Sequence, residues 1–136
     1  MRRTLLALAV LLVAAGCEGD PAEPDRTEAL TGTLARSGTA TAPLSMRSTG
    51  NLRVTAVDLE SVAADGATGP AIGGITFSVG NGTTAACVPS GSFGLIEGSV
   101  VSLGLHKGDH CIRLSEPTVV PEGFSVRYEL KLEISD

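Results

Sequence analysis

From Gly50 onward, apolar and polar residues alternate one by one in short runs. The clearest run closes the chain. Phe124, Val126, Tyr128, Leu130, Leu132 and Ile134 alternate with Ser125, Arg127, Glu129, Lys131, Glu133 and Ser135. A strand puts these two sets on opposite faces, whereas a helix would scatter both around its circumference. The same period predicts strands around Leu52, Val54 and Ala56, around Ile75, Phe77 and Val79, around Val101, Leu103 and Leu105, and around His110, Ile112 and Leu114. The apolar run Thr118-Val119-Val120 between two prolines predicts one more. Turn signals separate the runs: Asp65-Gly66, Gly69-Pro70, Gly73-Gly74, Asn81-Gly82, Ser90-Gly91, Lys107-Gly108 and Glu122-Gly123. No helical period is present after Gly50. The expected fold is all-β, a single antiparallel β-sandwich of about seven strands over residues 50–136.

The pattern is different upstream. Arg2 and Arg3 precede an unbroken apolar run from Leu5 to Ala15. The run is too short for the roughly 20 residues a membrane-spanning helix needs. It has the length of a secretory signal, with small residues Ala14, Ala15 and Gly16 after it, so residues 1–16 are expected to be a signal peptide. Residues 17–49 are expected to form a flexible tether. Acidic residues, Pro21, Pro24, Pro43 and Thr, Ala, Ser and Gly dominate it, and Leu30, Leu34, Leu44 and Met46 keep no sustained period. A flexible chain of about 32 residues spans roughly 30 Å. The one alternative within it is an edge strand between Leu30 and Leu44.

Ala14-Ala15-Gly16-Cys17 resembles the bacterial lipoprotein box, in which the cysteine after the cut carries lipid on its sulfur. Ala14 departs from the usual Leu. The resemblance implies a protein anchored in the cell envelope by acyl chains on Cys17, on the periplasmic face or the cell surface, with the membrane as its first partner.

Charge and cysteines sharpen this picture. The full chain has 10 basic and 15 acidic residues. Removing residues 1–16 takes away Arg2 and Arg3 and leaves 8 against 15, a net charge of -7. Such a chain lacks the clustered Lys and Arg that nucleic-acid phosphates require. There is no Trp, and aromatics are 3 % of residues, so no stacking platform is expected. With Cys17 acylated, Cys87 and Cys111 are left either as a disulfide, which suits an oxidising periplasm, or as two buried thiols. Paired, they would stabilise the domain by roughly 3.5 kcal/mol through loop closure.

Val101 to Leu114 reads V-S-L-G-L-H-K-G-D-H-C-I-R-L. It resembles the strand–turn–strand signature of bacterial carboxypeptidase regulatory-like (transthyretin-like) domains, with Leu105, Gly108, His110, Ile112 and Leu114 in the signature places. Gly50-Asn51-Leu52-Arg53-Val54-Thr55 is similar to their opening strand. The resemblance implies an accessory β-sandwich with no active site of its own, offering strand edges or loops to a protein partner.

Three constellations invite chemical readings. His106, Asp109 and His110 flank the expected turn of a hairpin and are weak candidates for a metal or small-ligand site; no cofactor is otherwise implied. Gly80-Asn81-Gly82 partly matches a dinucleotide fingerprint, but Pro89 limits any following helix to about one turn, and Asn-Gly is a hairpin signal. Ser90-Gly91-Ser92-Phe93-Gly94 misses the nucleophile-elbow pattern at its first position. A Ser92, Asp109 and His110 triad would lack the α/β scaffold such a serine needs. No enzymatic activity is expected.

Overall fold

A computed structural model describes residues 23–136. The segment 1–22, with the expected signal peptide and Cys17, lies outside the described residues. Nine strands follow in order: β1 (Arg26–Ala35), β2 (Thr39–Met46), β3 (Gly50–Val62), β4 (Thr68–Pro70), β5 (Ile75–Asn81), β6 (Val88–Leu95), β7 (Val100–Leu105), β8 (Gly108–Ser115) and β9 (Ser125–Ser135). They form two antiparallel sheets packed face to face. One has the order β1-β9-β3-β4, with β7 also paired to β3; the other has the order β2-β8-β5-β6. The fold is therefore an antiparallel β-sandwich.

The alternating positions are the core. Leu52, Val54, Ala56 and Leu59 of β3 and Val126, Leu130, Leu132 and Ile134 of β9 are buried from one sheet. Leu44, Met46, Ile75, Phe77, Val79, Ile112 and Leu114 meet them from the other. Opposite charges pair on the outer face of the first sheet, as Arg53 with Glu133 and Arg127 with Glu60, across neighbouring strands.

Three expectations change. Residues 26–46, expected to belong to the tether, form β1 and β2. β1 pairs with β9 over its whole length, from Arg26 against Ile134 to Ala35 against Ser125. The physical reason lies at Gly32, which stands opposite Tyr128. A Cβ at Gly32 would come within 2.5 Å of the Tyr128 hydroxyl oxygen and 2.8 Å of Cζ. The Tyr128 ring thus fills the place where β1 has no side chain, and Gly32 hides the alternation Leu30-x-Gly32-x-Leu34. On β2 the inward positions are Ala40, Ala42, Leu44 and Met46, and the two alanines lie near the same tyrosine and Leu30. Small residues around one large ring make a weak sequence pattern but a filled interior. Burial raises the pKa of the Tyr128 phenol.

Val101 to Leu114, expected as a hairpin, is instead a corner between sheets. β7 pairs with β3, while β8 pairs with β2 and β5. Alternation reports which face a side chain occupies, not which strand lies beside it. Gly108 opens β8 at φ 130, a backbone conformation open to glycine and costly to other residues. Lastly, Thr118-Val119-Val120 is not a strand; its amides bond elsewhere, as described below.

Gly32→Val is expected to destabilise the domain by about 1–3 kcal/mol in urea unfolding, through overpacking against the ring. Combined with Tyr128→Ala, the two costs should be clearly less than additive. Additive costs would show that the glycine and the ring are not coupled.

Candidate functional site

The two ends of the sandwich carry its chemistry. One end gathers the start of β1, the turns β2–β3, β5–β6 and β7–β8, and Asp136; it is called here the entry end. The other gathers the turns 36–38, 63–67, 71–74, 96–99 and the segment 116–124; it is called the distal end.

At the entry end, the β5–β6 connection contains a single 3-10 turn, Thr84–Ala86, and then Cys87. β5 and β6 pair as a hairpin, from Asn81 against Val88 to Ile75 against Leu95. Asn81-Gly82 thus lies in a hairpin connection, and no helix opens after it to receive a phosphate. Cys87 is bonded to Cys111 of β8, with Cα atoms 5.7 Å apart. β5 lies between β8 and β6, so the chain leading into β6 must pass over it. It passes at Gly80, which pairs with both Cys111 and Pro89. A Cβ there would collide with the Val88 carbonyl oxygen. The disulfide therefore needs a glycine at this crossing.

His106, Asp109 and His110 do not converge. His110 Nε2 donates to the His106 carbonyl 2.7 Å away, so the imidazole closes the β7–β8 corner. Among the described residues, no three His, Cys, Asp or Glu side chains are placed to hold a metal ion. Asp109 and His110 border an open groove of about 300 Å³ with Pro43, Leu44, Ser45, Gly82, Thr83 and Thr84. Ser92 forms a hydroxyl–hydroxyl bond of 2.8 Å with Ser78 on the neighbouring strand. It is opposite Ser78 in register, whereas His110 is opposite Asn81. The triad is not assembled.

An ion-pair network also closes the entry end. The Arg47 amide donates to Asp136 Oδ2 at 2.5 Å, and its guanidinium reaches Oδ1 at 3.1 Å. Arg26 stands 3.7 Å from the same carboxylate. The Arg47 amide first, and then the two guanidiniums, hold the Asp136 carboxyl below its usual range against the opposing effect of desolvation.

The sequence gives no sign of the most elaborate polar feature, which is at the distal end. Glu116 is 3 % exposed. Its Oε2 accepts from the amides of Ser37 at 2.6 Å and Thr118 at 2.9 Å. Its Oε1 accepts from Val119 at 2.7 Å and Val120 at 3.1 Å. Those amides would otherwise belong to a strand ladder, which is why 118–120 is not a strand. Ser37 and Thr118 have positive φ, 57° and 63°, and their hydroxyls bond each other at 2.7 Å. Such conformations cost of order 1–3 kcal/mol each, and the carboxylate is what holds them. Burial alone would raise the Glu116 pKa; the amides of Ser37, Val120, Val119 and Thr118 outweigh it, and the net direction is down. Beside this clamp, Ile72, Ile96 and Val119 are exposed.

No protein-family model matches the chain, and no curated protein matches it significantly.

Because the folded pKa of Glu116 is depressed, its contribution is present above the ordinary glutamate range and is lost as pH falls through the folded value. Glu116→Gln should cost about 2 kcal/mol at neutral pH. It should also flatten the loss of stability with acid, read by denaturant unfolding across pH 3–7. An unchanged acid slope would assign that slope to other carboxylates.

Proposed function

We propose that this chain is a non-enzymatic module of the bacterial cell envelope. Lipid on Cys17 holds it on a membrane, and the β-sandwich presents strand edges and loops to a protein partner. The supporting observation is the distribution of cysteines. Cys87 and Cys111 are bonded to each other. That pairing suits an oxidising, exported setting and leaves Cys17, two residues after the apolar run, as the third cysteine of the sequence. The accessory role implied by the resemblance to carboxypeptidase regulatory-like domains agrees with a sandwich in which Ser92 and His110 are engaged in structural bonds.

The flank formed by β6 and β7 favours partner binding by strand addition. Both strands lie at sheet edges, and none of their residues is charged. Val88 and Val100 are exposed there, and Phe93, Val101, Leu103 and Leu105 are half-buried behind them. Pro89 and the bulge between Val79 and Gly80 guard the start of β6 and leave the stretch after them free to pair.

Cys17→Ser is expected to move the protein from the membrane fraction to the soluble fraction. The mature wild-type chain should have a mass that includes acyl groups on a chain beginning at Cys17. A wild-type protein recovered unacylated would overturn the anchor. For the domain, the unreduced, denatured protein should show no reactive thiol at Cys87 or Cys111. Reduction should lower stability by roughly 3.5 kcal/mol.

A further inference from the structure

We infer that the entry end lies against the bilayer, and that the distal end, with Ile72, Ile96 and Val119, points away from it. The inference rests on the anchor at Cys17 proposed above and adds the orientation and the lipid-facing surface.

The first argument is reach. Because β1 begins at Arg26, only eight residues, 18–25, separate it from Cys17, instead of the 32 expected for a tether ending at residue 49. Nine Cα-to-Cα steps extend to about 32 Å at most. β1 starts at the entry end and runs to the distal end over 10 residues, about 33 Å. For the distal end to touch the membrane, the linker would have to be stretched to its limit along the whole domain. For the entry end to touch it, no stretching is required.

The second argument is charge. The three connecting turns of the entry end, 47–49, 82–87 and 106–107, carry Arg47 and Lys107 and no carboxylate. With Arg26, Asp109, Asp136 and the linker carboxylates Glu18, Asp20, Glu23 and Asp25 counted, this end totals -3. The distal turns carry Arg36 against Asp65, Glu97, Glu116 and Glu122, a net -3. An anionic bilayer attracts exposed Lys and Arg near its surface, and the entry end is the one whose connecting turns carry only basic charges. Exposed Ser48, Thr49, Thr83 and Thr84 add hydroxyls that can bond head-group phosphates. Reach selects the entry end, and the basic turns there agree with it.

The test uses the acylated full-length mature protein in vesicles containing phosphatidylglycerol. Ser48→Cys, at the entry end, and Ala64→Cys, at the distal end, each carry a fluorescent label, and a quencher is attached to lipid head groups. The Ser48 position should lose about half its emission or more, while the Ala64 position, about 35 Å further out, keeps nearly all of it. Thr83→Cys and Ala67→Cys repeat the comparison at independent turns. Equal quenching at the two ends, or stronger quenching at the distal end, overturns the orientation while leaving the anchor intact. Failure of the wild-type protein to float with vesicles overturns the anchor, and the orientation with it.

Discussion

β9 is hydrogen-bonded on both sides, to β1 from Ser125 to Ile134 and to β3 from Ser125 to Ser135. The rest of the structure depends on this double pairing. It joins the first and last described strands, so the sheet cannot close until the whole domain is present, and most of its stabilising contacts are distant in sequence. It also explains how β1 can be a strand at all. Leu30 and Leu34 are its only large apolar residues, and it is ordered against a partner whose alternation is nearly perfect. The bulge in β3 between Ala56 and Asp58 shifts the register once and turns Val57 outward, where it is half exposed.

The legible parts of the fold were those where each strand buries large residues of its own. β3, β5, β8 and β9 do so, and their period of two identified both the class and the faces. β1 and β2 bury Leu34, Leu44 and Met46, but Gly32, Ala40 and Ala42 sit between or before them against a ring that belongs to β9, so the row of large apolar residues is broken. Strand pairing was not legible either: β7 and β8 have the alternation and turn chemistry of a hairpin yet belong to different sheets. The cysteine count allowed the Cys87–Cys111 pair but did not exclude free thiols, because sequence spacing does not give the distance between them. Glu116 was invisible. Its neighbours Pro117-Thr118-Val119-Val120 read as an apolar run, and one of its bonds reaches Ser37, which is 79 residues away. A carboxylate that gathers amides from two distant turns has no local pattern.

The two ends of the sandwich are held by different chemistry. The entry end has a covalent bond across β5 and a carboxylate shared by Arg26 and Arg47. The distal end has one buried carboxylate, four amides and two residues of left-handed backbone. Reductant therefore acts on one end of the molecule. At the other, acid removes the interaction that offsets backbone strain.

That asymmetry extends to the backbone. A turn that only connects strands does not need Ser37 and Thr118 in costly conformations, since a freer loop of similar length would serve. Holding them removes alternative conformations from the segment that carries Val119, whose side chain lies over Gly73. The Glu116 clamp thus sets the shape of a turn that strand pairing leaves open.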